Sequence, residues 1–158
     1  MTYTIETIAA PFILTSLGVQ MDDFNDWAGN AAKVASKKAE ITENGALADL
    51  LALSDGQLFQ VNSAASGKPY RGFAAKGDFA VEGAEKINIL AQEHAVFSTV
   101  GTDAEKLADV LTGQVFGGGI QELDGYKYVG PYNFTTVKAQ TGGNFKAEMW
   151  LPVVKISD

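Results

Sequence analysis

Residue types that commonly perform catalysis or hold metals are scarce in this sequence. It contains one histidine, His94, and no cysteine, which excludes a three-histidine zinc site, thiolate ligands and a cysteine nucleophile. A Ser-His-Asp triad would have to use His94, but the sequence lacks the Gly-x-Ser-x-Gly turn that would present its serine. We therefore predict a surface or turn position for His94, no catalytic residue and no metal site.

Two further clusters resemble cofactor-binding motifs only superficially. Gly117-Gly118-Gly119 lacks both the Gly-Lys-Ser/Thr ending of a phosphate loop and the spacing of a dinucleotide-binding turn. Asp22 and Asp23, with Asp26 nearby, lack the alternating ligand spacing of a calcium loop. We predict a flexible connection for the glycines, helix capping for the aspartates, and no cofactor.

The charge and hydropathy of the chain limit its partners. Lys and Arg number 12 against 19 Asp and Glu, so the surface field is negative and repels phosphate backbones. The densest basic cluster, Lys33, Lys37 and Lys38, is typical of one solvated side of a helix. No apolar run approaches the ~20 residues of a membrane helix, and residues 1–6 lack the features of a signal peptide. Together with the absence of cysteine, this predicts a cytoplasmic protein without direct contact to nucleic acid or membrane.

Hydrophobic periodicity predicts the same series of elements twice, in halves at about residues 1–80 and 81–158 of a single domain. In the first half we predict two strands within 3–20, helices at 23–38 and 45–53, and strands at 57–64 and 70–77. In the second half we predict strands at 86–91 and 94–101, a helix at 103–113, and strands at 132–139 and 145–155. Because strand-helix-strand alternation is not sustained, the pattern indicates an α+β fold with a mostly antiparallel sheet and helices on one face.

Local signals predict where the helices begin and end. Asp22 or Asp23 is expected to cap the first helix, and Thr102 with Glu105 forms a capping-box pattern before the later one. Gly113 is expected to end that later helix.

Three segments together resemble the GyrI-like effector-binding domain: His94–Gly101, Gly130–Phe134 and Ala147–Val153. This domain is the ligand-sensing half of many bacterial multidrug-responsive regulators and also occurs as free-standing proteins. The similarity extends more loosely over nearly the whole chain, through Phe24–Trp27 and Gln57–Phe73. It implies duplicated strand-helix-strand-strand halves that form one curved sheet, with a cleft between the halves.

The resemblance also implies the ligand class and its site. Family ligands are typically bulky, apolar and often cationic, and stacked aromatics hold them around one buried carboxylate. For each aromatic candidate, ordinary core packing is the alternative. The candidate ligand-binding residues are Trp27, Phe59, Phe97, Tyr128, Thr135, Glu148 and Trp150.

This sequence departs from the family at the carboxylate. Where the family usually has Asp-Phe-Glu, this chain has Asn133-Phe134-Thr135, so Thr135 replaces the glutamate. A hydroxyl alone neither neutralises a cation nor activates water at neutral pH. Glu148 is a candidate replacement, because it lies two residues before Trp150 on a predicted strand and shares its face. The alternative is that Glu148 is a solvated strand residue.

Three functions follow as hypotheses. The leading one is a stand-alone protein that senses or sequesters a bulky hydrophobic, in some cases cationic, small molecule. The first alternative is a hydrolase that uses the same cleft, as some relatives do, with Glu148 as its base. The second alternative is an inhibitor or regulator that acts on a protein partner.

Overall fold

The computed structural model describes residues 2–156, which form two compact units. Residues 11–89 make the contiguous unit, and residues 2–10 together with 90–156 make the bipartite unit. The strands are β1 (Tyr3–Thr7), β2 (Phe12–Gln20), β3 (Phe59–Ser63), β4 (Tyr70–Lys76), β5 (Glu85–Ile89), β6 (Glu93–Gly101), β7 (Tyr126–Tyr128), β8 (Tyr132–Ala139) and β9 (Phe145–Lys155). The helices are α1 (Trp27–Glu43), α2 (Ala46–Ala52), α3 (Ala104–Gly117) and two short 3-10 helices, Gly119–Glu122 and Thr141–Gly143.

In the contiguous unit, β2 and β4 are the two inner strands. The order is β3-β4-β2-β5, and each of these pairings is antiparallel. Apolar side chains of β2 and β4 pack under α1 and α2, because alternate strand residues point to the same face. The buried core of this unit consists of Leu17, Ile41, Leu47, Leu50, Phe73 and Ala75.

In the bipartite unit, β6 and β9 are the inner strands. The order is β8-β9-β6-β1, again antiparallel, and β7 pairs with the last residues of β9. Helix α3 packs against β6, β8 and β9. Its apolar stripe and the alternate residues of β6 and β9 form the core: Ala95, Phe97, Leu107, Leu111, Val115, Ala147, Met149, Leu151 and Val153.

The two units repeat one topology. Strands β2, β3, β4 and β5 occupy the places in their unit that β6, β8, β9 and β1 occupy in theirs. The α+β class, the mostly antiparallel pairing and the duplicated strand-helix-strand-strand pattern are confirmed. One feature of the pairing was not predicted. Strand β1 precedes β2 in the chain but pairs with β6, whereas β5 precedes β6 but pairs with β2. We call this the exchange of first strands.

The helix ends differ from the sequence-based predictions. The side chain of Asp26, rather than that of Asp22 or Asp23, caps α1 by accepting a hydrogen bond from the backbone N–H of Gly29 at 3.1 Å. Asp103, one residue after Thr102, caps α3. Gly113 does not end α3, since a glycine inside a helix costs only about 1 kcal/mol relative to alanine. The burial of Val115 one half-turn later stabilises the continuation to Gly117.

Candidate functional site

The strand register of the bipartite unit divides its candidate residues between two faces. Thr135 on β8 lies directly across from Met149 on β9, which packs under α3. Glu148 lies across from Thr136, and Trp150 lies across from Phe134. We call the first side the α3 face and the second the Trp150 face. Directly paired residues project to the same side of a sheet, so Glu148 and Thr135 project to opposite sides.

The α3 face carries neutral polar groups on β8. Thr135 is 3% exposed and Asn133, two residues earlier on the same face, is 5% exposed. Together they present a hydroxyl and an amide beside the apolar Met149. These groups can hydrogen bond to a ligand, but they supply no charge.

Tyr128 on β7 borders this polar pair. Its Oη donates a hydrogen bond to the Tyr132 carbonyl at 3.1 Å and accepts one from Asn133 Nδ2 at 3.4 Å. Burial raises the pKa of the Tyr128 phenol, and the hydrogen bond from Asn133 opposes that shift. The phenol is therefore neutral at physiological pH. Its ring meets the edge of Phe116, on the last turn of α3, with the ring centroids 6.3 Å apart.

Phe97 belongs to the core rather than to an accessible surface. It is fully buried beneath α3, opposite Met149 on β9. The ring of Tyr3 on β1 lies 5.4 Å from its own, centroid to centroid. Phe97 is therefore part of the core that packs between the sheet and α3.

The Trp150 face contains a cluster of rings. Trp150 stacks on Phe134 with an interplanar angle of 9° and a centroid separation of 5.8 Å. The ring of His94 lies 6.1 Å from Trp150 and 5.9 Å from Tyr132. The half-buried Glu148 lies on this same face, between Ser98 of β6 and Thr136 of β8. Glu148 therefore projects from the face opposite Thr135.

The other two candidates lie in the contiguous unit. Trp27 is the first residue of α1, and its side chain is 81% exposed. Phe59 opens β3, where it is half-buried and pairs with Ala74 of β4. Its neighbour Gln60 pairs with Phe73, which packs beneath the helices, so Phe59 projects from the other face.

The predicted surface or turn position of His94 is wrong, because the side chain is fully buried. Sequence reasoning also missed Phe116 as a site candidate, because it placed the end of α3 at Gly113. Leu107, Leu111 and Val115 continue one apolar stripe past that glycine, and this signal would have extended the helix to Phe116.

Within residues 2–156, no helix is both long enough and apolar enough to span a membrane. The same part of the chain contains no group of three or more histidine, cysteine, aspartate or glutamate side chains placed to hold a metal ion.

Comparisons with known proteins identify the fold. No protein-family model and no curated protein sequence matches the chain. Among solved structures, SAV2435 bound to tetraphenylphosphonium is similar at a TM-score of 0.76 and 18% identity, covering 98% of this chain and 94% of that one. An integron cassette protein from the mobile metagenome of Vibrio cholerae matches with a TM-score of 0.59 and 14% identity, covering 96% and 95%. The C-terminal domain of EcmrR matches with a TM-score of 0.54 and 13% identity, covering 98% of each chain.

These similarities extend over nearly the whole chain, at identities too low to carry more than architecture. SAV2435 and the EcmrR domain share one architecture, which the topology of both units here reproduces. The chain has the GyrI-like effector-binding fold.

Proposed function

We propose that this chain binds a bulky, apolar small molecule and thereby senses or sequesters it. The observation that carries the proposal is the shared fold with SAV2435, which was solved with tetraphenylphosphonium bound. That similarity covers 98% of the present chain and 94% of SAV2435.

Exposed aromatic rings support an apolar ligand. Phe116 is 43% exposed and borders the half-buried Tyr128. Trp27, the first residue of α1, is 81% exposed. Large rings left in water are costly unless a partner covers them, and their faces suit stacking with an aromatic compound.

The charges of the chain bear on the ligand class. The net charge of −7 favours the approach of cations over long distances. At close range, however, the buried Thr135 hydroxyl can hydrogen bond to a ligand but cannot neutralise a cation taken out of water. We therefore propose that neutral apolar compounds bind at least as tightly as lipophilic cations of the same size.

Titration calorimetry with a cationic, a neutral and an anionic phenyl-bearing probe tests both parts of this proposal. Tetraphenylphosphonium is the cation, triphenylphosphine oxide the neutral probe and tetraphenylborate the anion. We expect the neutral probe to bind, and to raise the melting temperature because it binds only the folded state. Binding of none of the three would contradict the small-molecule function. Binding of the cation alone would leave that function standing and reject the proposed ligand class.

A matched pair of variants tests the aromatic contact. Trp27→Ala removes a ring that is mostly in water, so we expect the free energy of unfolding to change by about 0.5 kcal/mol or less. Loss of its contact with the ligand is expected to weaken probe binding about fivefold or more. Phe24→Ala, three residues earlier and also exposed, is the control. Equal effects of the two substitutions on affinity would remove Trp27 from the proposed site.

Location and macromolecular partners are further parts of this proposal. The absence of cysteine supports a cytoplasmic location, and the net charge of −7 supports the absence of direct nucleic-acid contact. Action on a protein partner remains a prediction. A stable complex recovered by pull-down with the purified chain, and dissociated by the neutral probe, would support it.

A further inference from the structure

The single histidine takes part in a buried hydrogen-bond chain on the Trp150 face. His94 is fully buried, and both of its ring nitrogens have partners. Nδ1 lies 3.0 Å from the Gln92 carbonyl oxygen, and Nε2 lies 2.8 Å from Tyr132 Oη. Tyr132 is itself 1% exposed, and its Oη accepts a hydrogen bond from the backbone N–H of Leu90 at 3.0 Å.

These partners determine the protonation state of the ring. The Gln92 carbonyl only accepts, so Nδ1 must carry a hydrogen and donate it. The oxygen of Tyr132 already accepts from Leu90, so its own hydrogen is directed at Nε2, which must accept. In this series of hydrogen bonds, which runs from the Leu90 N–H to the Gln92 carbonyl, every donor therefore has an acceptor only while His94 is neutral.

The chain of hydrogen bonds is attached at both ends to one segment. Residues 90–92 form the connector that follows Ile89, the last residue of the contiguous unit, and leads into β6. Leu90 is held through its N–H and Gln92 through its carbonyl, which also accepts from the Ile8 N–H at 3.0 Å. The Gln92 side chain donates to the Val153 carbonyl at 3.4 Å.

We propose that His94 and Tyr132 form an acid-sensitive clasp that holds the connector at neutral pH and releases it when the imidazole is protonated. A proton on Nε2 puts two donors face to face, the imidazolium N–H and the Tyr132 O–H. Tyr132 must then turn its hydrogen away, and its oxygen must accept from both Leu90 and His94. The result is one donor without an acceptor in a buried site, which costs free energy and favours opening of the connector.

The surroundings of His94 offer little compensation for a positive charge. The residue across from it on β1 is Glu6, which is exposed to water, and the residue across on β9 is Pro152. The adjoining Glu93 accepts a hydrogen bond from Tyr126, and its side chain projects from the α3 face. Other neighbours on the same face include the Tyr132 phenol, whose pKa burial raises, and the rings of Phe134 and Trp150.

Burial lowers the pKa of His94, against an opposing contribution from the Gln92 hydrogen bond. The unfolded chain therefore takes up its proton at a higher pH than the folded chain does. The contribution of the neutral His94 to the free energy of unfolding is fully present above the unfolded pKa of about 6.5. It decreases as the pH falls from there toward the folded pKa.

Because His94 is the only histidine, its ring resonances report its titration without assignment ambiguity. We would follow the Cε1–H signal by NMR between pH 7.5 and 4.5, together with amide hydrogen exchange corrected for intrinsic rates. The expected result is a folded pKa below 6.5 and about a tenfold loss of protection at the Leu90 N–H with the same midpoint. Protection that stays constant while His94 titrates would overturn the proposal.

Two variants separate the clasp from general acid sensitivity. His94→Gln keeps a hydrogen-bonding group but does not titrate, so the loss of connector protection between pH 7.5 and 5 should disappear. Tyr132→Phe keeps the ring and removes the oxygen, so Leu90 should exchange rapidly already at pH 7.5. If either folded variant retained the wild-type pH profile at the connector, the clasp would be rejected. Because no ligand is present, this result is independent of the proposed binding function.

Discussion

Replacing Thr135 with glutamate tests whether the residue at this position of the α3 face determines the charge of the preferred ligand. Thr135 is 3% exposed and lies beside Met149, so a glutamate there would be largely removed from water. Desolvation raises the pKa of a buried carboxyl group, and ionising it costs roughly several kcal/mol. Thr135→Gln has nearly the same shape without the charge, and it is the matched control.

The two variants should differ in stability in a pH-dependent way. The folded pKa of the new glutamate lies above its unfolded value of about 4.3. The folded state therefore holds the extra proton more tightly, and Thr135→Glu loses stability as the pH rises through the folded pKa. Relative to Thr135→Gln, its melting temperature should be close at pH 4.5 and clearly lower at pH 8. The contribution of His94 is common to both variants and cancels.

The ligand preference should reverse in the same variant. A cation centre about 5 Å from the carboxylate gains about 3 kcal/mol at an effective dielectric constant of about 20. Allowing for partial loss of hydration, we expect Thr135→Glu to bind tetraphenylphosphonium about 10- to 100-fold more tightly than Thr135→Gln, as measured by calorimetry at pH 8. Tetraphenylborate should show the opposite order. Equal affinities in two folded variants would refute the reasoning, because Thr135 would then not face the ligand.

Three other substitutions make independent predictions. Glu148→Gln should change probe affinity less than twofold in calorimetry, because Glu148 projects from the face opposite Thr135; a loss of tenfold or more would assign the ligand to the Trp150 face. Gly18→Ala should destabilise by about 1 to 3 kcal/mol in urea unfolding, because its Cβ would lie 2.3 Å from the Arg71 carbonyl oxygen. Gly113→Ala, with nothing within 4 Å of its Cβ inside a helix, should stabilise by about 0.5 to 1 kcal/mol, and the opposite sign would contradict this account of α3.

Periodicity located most elements because each strand and helix buries one face. The predicted ranges 132–139 and 145–155 coincide with β8 and β9. Helix ends were less predictable, because Asp22, Asp23 and Asp26 lie within five residues and only the path of the chain selects Asp26 as the cap.

The candidate site was harder to predict from the sequence than the fold was. Whether Thr135 and Glu148 share a face depends on the pairing of β8 with β9, and a shift of one residue reverses the answer. The buried His94 is hydrogen-bonded to Tyr132, which is 38 residues away in the chain. Neither relation has a signature in local composition.

The exchange of first strands affects how the chain folds during synthesis. Strand β1 is made early, but its partner β6 follows about ninety residues later. At bacterial elongation rates of roughly 5 to 20 residues per second, β1 would wait about 5 to 20 s for its partner. The contiguous unit has all its strands by Ile89 and can close first. Folding is thus expected to run from the middle of the chain outward, with β1 as an unpaired strand that invites chaperone binding until the bipartite unit is complete.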